Sequence, residues 1–212
     1  MSRTRIVEVL NRESSPGTVT VHGWVRTKRD SRTFSFLELN DGSCLANLQI
    51  VADATLPGYE ESVVSARTGA SLEVTGEIIA SQGQGQRWEL RASRIVLVGA
   101  SPEDYPLQKK GHTVEFLRSI AHLRPRTNLF GAVFRIRSRM AYAIHRFFQE
   151  RGFVYVHTPI ITASDCEGAG EMFRVVTMEG ETMRRGEDEF FGKPTYLTVS
   201  GQLEGETFAC AL

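Results

Sequence analysis

Residues 19–43 read VTVHGWVRTKRDSRTFSFLELNDGS, and this stretch decides the fold of the first hundred residues. Apolar residues alternate with polar ones from Val19 to Val25, which predicts a strand with one buried face. A second run, from Phe34 to Leu39, predicts a second strand that ends in the turn signal at residues 40–43. The stretch therefore predicts two neighbouring strands at the start of an all-β domain.

Three further strands and one short helix are predicted downstream of this pair. The strands cover residues 45–50, 72–78 and 88–98, and the helix covers residues 60–67. The glycines within residues 82–85 could suggest a phosphate-binding loop, but a strand-like run follows them, so a hairpin turn is predicted instead. Five strands, with a helix between the third and the fourth, predict an OB barrel over residues 1–100.

The composition is that of an ordinary globular protein, with 41% hydrophobic residues and zero net charge over 212 residues. The N-terminus has no apolar signal region and no run is long enough to span a bilayer, so a cytoplasmic protein is expected. The three cysteines, Cys44, Cys166 and Cys210, fit neither a disulfide framework nor a zinc spacing. Reduced thiols and no metal site are therefore expected.

Charge is unevenly distributed along the chain. Residues 105–151 hold ten Lys and Arg against two Asp and Glu, whereas residues 152–212 hold four against ten. A basic segment of this kind indicates a polyanionic partner, although a solvated helix face gives the same pattern.

Cations and aromatic residues are interleaved around the first predicted turn. The cations are Arg26, Lys28, Arg29 and Arg32, and the aromatic residues are Trp24, Phe34 and Phe36. Cations hold phosphates and an aromatic face stacks an unpaired base, so the combination predicts binding of single-stranded nucleic acid, such as an RNA loop. The alternative is that Trp24 and Phe34 belong to the core. Trp24 is expected there, whereas Phe36 must face outward to stack a base.

The second half of the chain begins with a proline-containing connector over residues 101–127. An amphipathic helix is predicted from Gly131 to Arg151, with Asn128 as its N-cap and Gly152 at its end. Its apolar stripe consists of Val133, Ile136, Met140, Ile144 and Phe147. Residues 153–158 are then predicted to form a strand that ends at Pro159.

This helix, strand and proline are followed by Glu167-Gly168-Ala169, and the combination resembles class II aminoacyl-tRNA synthetases of the aspartyl, asparaginyl and lysyl subgroup. The first elements resemble the family's motif 1, and the triplet resembles the loop that closes over the amino acid. The resemblance implies an OB-fold anticodon-binding domain over residues 1–100 and a hinge over residues 101–127. It also implies part of an α+β catalytic domain over residues 128–212, with an incomplete antiparallel sheet and flanking helices.

The run from Ser200 to Thr207 separates the members of that subgroup. Aspartyl members carry a lysine at the position of Gly205 and a proline at the position of Gly201, and the run resembles bacterial-type asparaginyl members. A pocket without that lysine suits a neutral amide. The resemblance thus implies ligation of L-asparagine to tRNA(Asn) with ATP and Mg2+, by a homodimer formed through the motif 1 helix. Aspartyl specificity and a non-catalytic RNA-binding protein built on the barrel remain as alternatives.

The resemblance also implies roles for six residues. The amino-acid-binding residues would be Glu167, Ser200 and Gln202, and the anticodon-binding residues would be Arg26, Phe36 and Gln49, with Asn47 as a rival to Gln49. No catalytic residue is expected within the chain, because the ATP-binding arginines of motifs 2 and 3 are expected further downstream. The chain by itself is therefore expected not to form an adenylate.

Overall fold

The computed structural model describes residues 3–14, 17–83, 85–165, 172–176 and 190–212. The chain divides into two units, Met1–Arg139 and Met140–Leu212, and the division falls inside a long helix. The predicted domain boundaries at residues 100 and 127 stay predictions. No helix among the described residues has the length and hydrophobicity that crossing a bilayer requires.

The first unit contains the predicted five-stranded barrel. Its strands are β1 (Thr18–Asp30), β2 (Phe34–Asn40), β3 (Leu48–Asp53), β4 (Ser71–Ala80) and β5 (Trp88–Gly99). They close in the order β1-β2-β3-β5-β4, with a one-turn π-helix, Glu60–Val64, between β3 and β4. The predicted OB fold, including the helical segment in that place, is confirmed.

One long strand and two irregularities make this closure possible. Strand β1 pairs with β4 through its first half and with β2 through its second half, and a bulge between Val25 and Thr27 bends it where the partners change. The β4–β5 pairing is shifted between Thr75 and Gly76, where an added Cβ on Gly76 would overlap the carbonyl oxygen of Arg91. Bulges at such points bend the strand and increase its twist, which lets the sheet close into a barrel.

Alternating side chains fill the barrel interior. The fully buried members include Val21, Val25, Leu37, Leu39, Leu48, Ile50, Val74 and Leu90. Each contributes roughly 1.5–3 kcal/mol relative to an exposed side chain. Helix α1 (Ile6–Leu10) adds Ile6 and Val9 to the same core. Its first two amides are satisfied by the turn after β2, because Ile6 N–H donates to Asp41 Oδ2 and Val7 N–H donates to Ser43 Oγ.

The connector packs a smaller apolar cluster. It contains α2 (Val114–Ser119) and a 3-10 turn, Arg124–Arg126, around buried Tyr105, Leu107 and Leu117. Helix α3 (Asn128–Gln149) follows, and Thr127 caps it, since Phe130 N–H donates to Thr127 Oγ1. The predicted N-cap at Asn128 is wrong by one residue, because the threonine hydroxyl already accepts from the third amide of the helix.

The second unit holds little regular structure among its described residues. Helix α3 ends at Gln149, two residues before the predicted end at Arg151, and the turn that follows it contains Gly152 with a φ of 79°. The predicted strand over residues 153–158 does not form, because no described strand makes a β-ladder with it. The strands present are β6 (Ile161–Thr162), β7 (Arg174–Val175) and β8 (Thr195–Leu197), in the order β6-β8-β7, and α4 (Gln202–Ala209) follows.

Candidate nucleic-acid interface

A row of side chains crosses four barrel strands on the outer surface. Strand pairing sets Arg29 of β1 opposite Phe36 of β2, Phe36 opposite Val51 of β3, and Val51 opposite Arg91 of β5. The residues on either side of Phe36 in sequence, Ser35 and Leu37, are fully buried, whereas Phe36 itself is half-buried. Phe36 therefore faces outward, as base stacking requires.

Arg29 completes an aromatic platform with Phe36. Its guanidinium carbon lies 5.9 Å from the centroid of the Phe36 ring, and the side chain is exposed. Such a contact contributes about 0.5–1 kcal/mol at an exposed site, and it places a cation beside a stacking surface. The sequence identified Arg29 only as one cation among four, and its register opposite Phe36 distinguishes it.

Two of the other cations are directed elsewhere. The Nζ atom of Lys28 donates to the carbonyls of Val63 and Val64 at 2.8 and 2.9 Å, so it closes the end of the π-helix. Arg26 donates from Nη1 to the carbonyl of Arg126 in the connector. Burial, together with the neighbouring charge of Arg126, lowers the pKa of Arg26, although the carboxylate of Glu38 opposes the shift. Arg26 thus lies on the barrel surface that meets the connector.

Gln49 and Asn47 flank the same glutamate, Glu38. Gln49 lies opposite Glu38 in the β2–β3 register, and its Nε2 donates to Oε2 of buried Glu89 at 3.0 Å. Asn47 donates to Glu38 Oε2 at 3.1 Å and accepts from Asn40 Nδ2 at 3.0 Å. Glu89 was not among the site residues predicted from the sequence. It fixes the Gln49 amide on the outer face, in the row next to Phe36.

A cavity of about 410 Å³ lies between the barrel and the connector. Arg26, Glu38 and Asn47 line it from the barrel. The connector contributes Gln108, Lys109, Lys110 and His112, among others. Its rim is mainly cationic, which suits a polyanion. The cavity brings Arg26 and Asn47 together, and Asn47 lies two residues before Gln49 in the sequence.

Two of the three proposed amino-acid-binding residues lie together in the second unit. Ser200 Oγ accepts from the backbone N–H of Gln202 at 3.1 Å, and Gln202 Nε2 donates to Glu206 Oε1 at 3.2 Å. Glu167, the third, lies outside the described residues. Gly201 packs so closely on Thr158 that an added Cβ would come within 2.6 Å of its hydroxyl, whereas Gly205 has open space around it.

Cys44 and Cys210 are free thiols, and Cys166 lies outside the described residues. No cluster of three or more metal-ligating side chains occurs in the part of the chain that the structure describes.

Two family models match the two halves of the chain. Residues 19–98 match an OB-fold nucleic acid binding domain, and residues 114–211 match the class II tRNA synthetases of the D, K and N group. With an outward aromatic platform on a closed OB barrel, these matches define the chain as a class II aminoacyl-tRNA synthetase sequence. Within that class, the chain is similar to the asparaginyl-tRNA synthetases.

The relatives that support the narrower assignment are asparagine–tRNA ligases. The one from Nitratidesulfovibrio vulgaris is 56% identical over 219 residues, which cover 100% of this chain and 47% of the relative. The one from Syntrophobacter fumaroxidans is 60% identical over 203 residues, which cover 92% of this chain and 44% of the relative. The chain thus spans about half the length of the curated relatives it matches.

Solved structures share the fold. Asparaginyl-tRNA synthetase from Pyrococcus horikoshii, complexed with asparaginyl-adenylate, superposes with a TM-score of 0.81 at 22% identity. That match covers 100% of this chain and 46% of the other. The Entamoeba histolytica enzyme, also with asparaginyl-adenylate, gives a TM-score of 0.74 at 23% identity, over 99% of this chain and 45% of the other.

Proposed function

We propose that this chain carries the anticodon-reading barrel and part of the amino-acid site of an asparagine–tRNA ligase, which joins L-asparagine to tRNA(Asn) with ATP. The observation that carries the proposal is the outward row Arg29–Phe36–Val51–Arg91 on a closed OB barrel, in a chain 56% identical to asparagine–tRNA ligases. An unpaired RNA base stacks on an outward aromatic ring, and the flanking arginines neutralise phosphates.

The anticodon-binding residues act on different parts of the RNA. Phe36 stacks a base, with Arg29 beside it, and Gln49 offers its amide to a base edge from the neighbouring row. Asn47 remains the rival of Gln49. Arg26, which lines the cavity toward the connector, contacts the RNA backbone from there, since a guanidinium binds phosphate in a forked geometry.

The amino acid binds in the second unit through Glu167, Ser200 and Gln202. A carboxylate and an amide oxygen are the acceptors that the α-ammonium group of the substrate needs. At Gly205 no cation is present to pair with a side-chain carboxylate, which favours asparagine over aspartate. Gly201 keeps the loop against Thr158, and this contact sets the position of Ser200 and Gln202 at the start of α4.

The reaction proceeds through an adenylate in the complete enzyme. The carboxylate of asparagine attacks the α-phosphorus of ATP, pyrophosphate leaves, and the acyl group then passes to the terminal ribose of the tRNA. Mg2+ neutralises the phosphate charge in such chemistry. The residues assigned in this chain bind and orient asparagine, and none of them is assigned to ATP or Mg2+. The complete enzyme acts as a cytoplasmic homodimer joined through α3.

Phe36→Ala tests the barrel half of this proposal. Binding of an asparagine-tRNA anticodon stem-loop, followed by fluorescence anisotropy, is expected to weaken roughly 5- to 100-fold, because one stacking contact is lost. Discrimination against a stem-loop with a changed anticodon should fall with it. Phe36→Tyr keeps the ring and should bind as the parent chain does. Unchanged binding by the alanine variant would remove Phe36 from the interface.

A further inference from the structure

We propose that the barrel holds a second base-binding subsite, built on Phe34, Val51 and Arg91, which takes the nucleotide next to the one stacked on Phe36. The proposal rests on the proposed function, because it extends the same RNA-binding face. It assigns to Phe34 a role that differs from that of a core residue.

Phe34 lies on the outer face of the barrel. It is two residues before Phe36 on β2, with fully buried Ser35 between them, and it is half-buried like Phe36. Side chains two residues apart on a strand point to the same face, about 6.5–7 Å apart. The two rings therefore present successive aromatic surfaces along one strand, which is the arrangement that stacks successive unpaired bases.

A separate cavity of about 260 Å³ lies beside the Phe34 ring. Phe34, Val51 and the aliphatic Ala92 form its apolar part, and Asp53, Glu77 and Arg91 add charges. Val51 also lies opposite Phe36 in the strand register, so the cavity adjoins the platform already described. An RNA strand leaving Phe36 along β2 passes directly over this cavity.

The charges in the cavity suit a nucleotide. Exposed Arg91 lies opposite Val51 on one side and opposite Glu77 on the other, so its guanidinium can reach a phosphate at the rim. Asp53, opposite Phe34, accepts from the amide and hydroxyl of Thr55 through Oδ1, and these bonds, together with the charge of Arg91, hold the pKa of its carboxyl below the ordinary value. The carboxylates that line the cavity can accept N–H groups of a base edge, whereas a second phosphate there would be repelled.

The footprint of OB folds supports more than one stacked base. Such barrels bind about 4–16 nucleotides each, so one ring cannot account for the whole contact with an RNA loop. The two cationic ends of the row, Arg29 and Arg91, lie on different strands on either side of Phe36 and Val51. They place a cation at each end of the row that contains Phe36 and Val51.

The test is a double-mutant cycle between the protein and the RNA. The chain and its Phe34→Leu variant are titrated with the asparagine-tRNA anticodon stem-loop and with versions that carry an abasic site at each loop position in turn. Phe34→Leu keeps an apolar side chain but removes the ring. It is expected to weaken binding of the intact loop roughly 5- to 100-fold. For one abasic RNA only, Phe34→Leu should cause no further loss of affinity, because the base that stacks on Phe34 is already missing. That loop position should be next to the position whose abasic site removes the effect of Phe36→Ala.

Matched variants separate stacking from folding and from charge. Phe34→Tyr keeps the ring and should bind like the parent chain, and circular dichroism shows whether Phe34→Leu remains folded. Arg91→Gln should weaken all the loops alike and reduce the slope of log K against log salt by about one.

Two results would overturn the subsite. It fails if Phe34→Leu leaves every affinity within twofold while Phe36→Ala still couples to one loop position. It also fails if the loss persists equally with all abasic loops. If Phe36→Ala likewise has no effect, the proposed function of the barrel fails together with the subsite.

Discussion

At Asp41, one carboxylate joins helix α1 to the turn that follows β2. It accepts from the amide of Ile6 and from the amide and hydroxyl of Ser43, and its side chain is 1% exposed. Burial by itself would raise the pKa of Asp41, but these hydrogen bonds and the charge of Arg3 outweigh it, so the pKa lies below its ordinary value. The ionised form therefore stabilises the folded barrel.

Asp41→Asn is expected to lower the free energy of unfolding of the barrel by about 1–2 kcal/mol at pH 7, because a charged cap is lost. The folded pKa lies below the unfolded value of about 3.9. The contribution is thus complete above that value and is lost as the pH falls through the folded pKa. Urea unfolding followed by fluorescence of Trp24 and Trp88, both in barrel strands, measures it. The difference between variant and parent should shrink below about pH 4.

Asp104→Asn is the control for this measurement, because Asp104 is exposed in the connector. It should leave the unfolding midpoint unchanged at either pH. A difference for Asp41→Asn that is the same at pH 7 and at pH 3 would contradict the assigned charge.

The residues of the interface were only partly predictable from the sequence, and a bulge is the reason. Alternation from Val21 and Val25 predicts that Thr27 and Arg29 point inward. The bulge between Val25 and Thr27 shifts the period, so that Arg29 faces outward opposite Phe36, whereas Lys28 turns to the π-helix. A bulge leaves no mark in a hydrophobic pattern. The direction of Arg26 toward the connector was hidden for the same reason.

Elements that are determined by their own residue pattern were predictable from the sequence. Elements that need hydrogen bonds from a distant part of the backbone were not. The alternation in β2 gave its inward and outward faces, and the 3.6-residue period gave α3 nearly to its ends. Residues 153–158 have the composition of a strand but remain unpaired within the described chain. A strand is defined by the partner that takes its hydrogen bonds, which its own sequence does not contain.

The β4–β5 ladder gives the element-scale prediction. Gly76→Ala is expected to destabilise the barrel by about 1–3 kcal/mol, because the new methyl group meets the Arg91 carbonyl and the Leu90 side chain. Thermal unfolding followed by circular dichroism at a β-sheet wavelength measures the shift in midpoint.

Gly111→Ala is the matched control. A Cβ added to Gly111 would meet no other atom within 4 Å, so the same methyl group should change stability by less than about 0.5 kcal/mol. Equal midpoints for the two variants would show that the shifted register at Gly76 tolerates a side chain.

The two units of the molecule differ in how they bury apolar surface. All the buried hydrophobic residues recorded for the described chain lie between Ile6 and Leu117. From Met140 onward, most of the large apolar side chains among the described residues are exposed. Met140, Ile144 and Phe147 on the apolar stripe of α3 are 57%, 54% and 50% exposed. An exposed stripe of this size is typical of a protein–protein interface, which supports a second copy of the chain as its partner.

Ile144→Lys is expected to convert the proposed dimer to a monomer of 23.7 kDa, because a charge would be buried at the centre of the proposed contact. Sedimentation equilibrium of the parent chain should give about twice that mass. Ser138→Lys, on the opposite side of α3, adds the same charge off the stripe and should leave the dimer intact. A monomeric parent chain, or equal masses for both variants, would count against α3 as the interface.

The parallel pairing of β3 with β5 is the narrowest join in the barrel. It consists of three register pairs, from Gln49–Glu89 to Val51–Arg91, whereas β4 and β5 pair along ten. An RNA strand that lies on Phe36 and Val51, with a phosphate on Arg91, would contact both β3 and β5. Since a ligand that binds only the closed form stabilises it, loading would slow amide hydrogen exchange along β3 and β5 first. RNA binding would then reduce local opening of the barrel at its shortest strand pairing, without changing the fold.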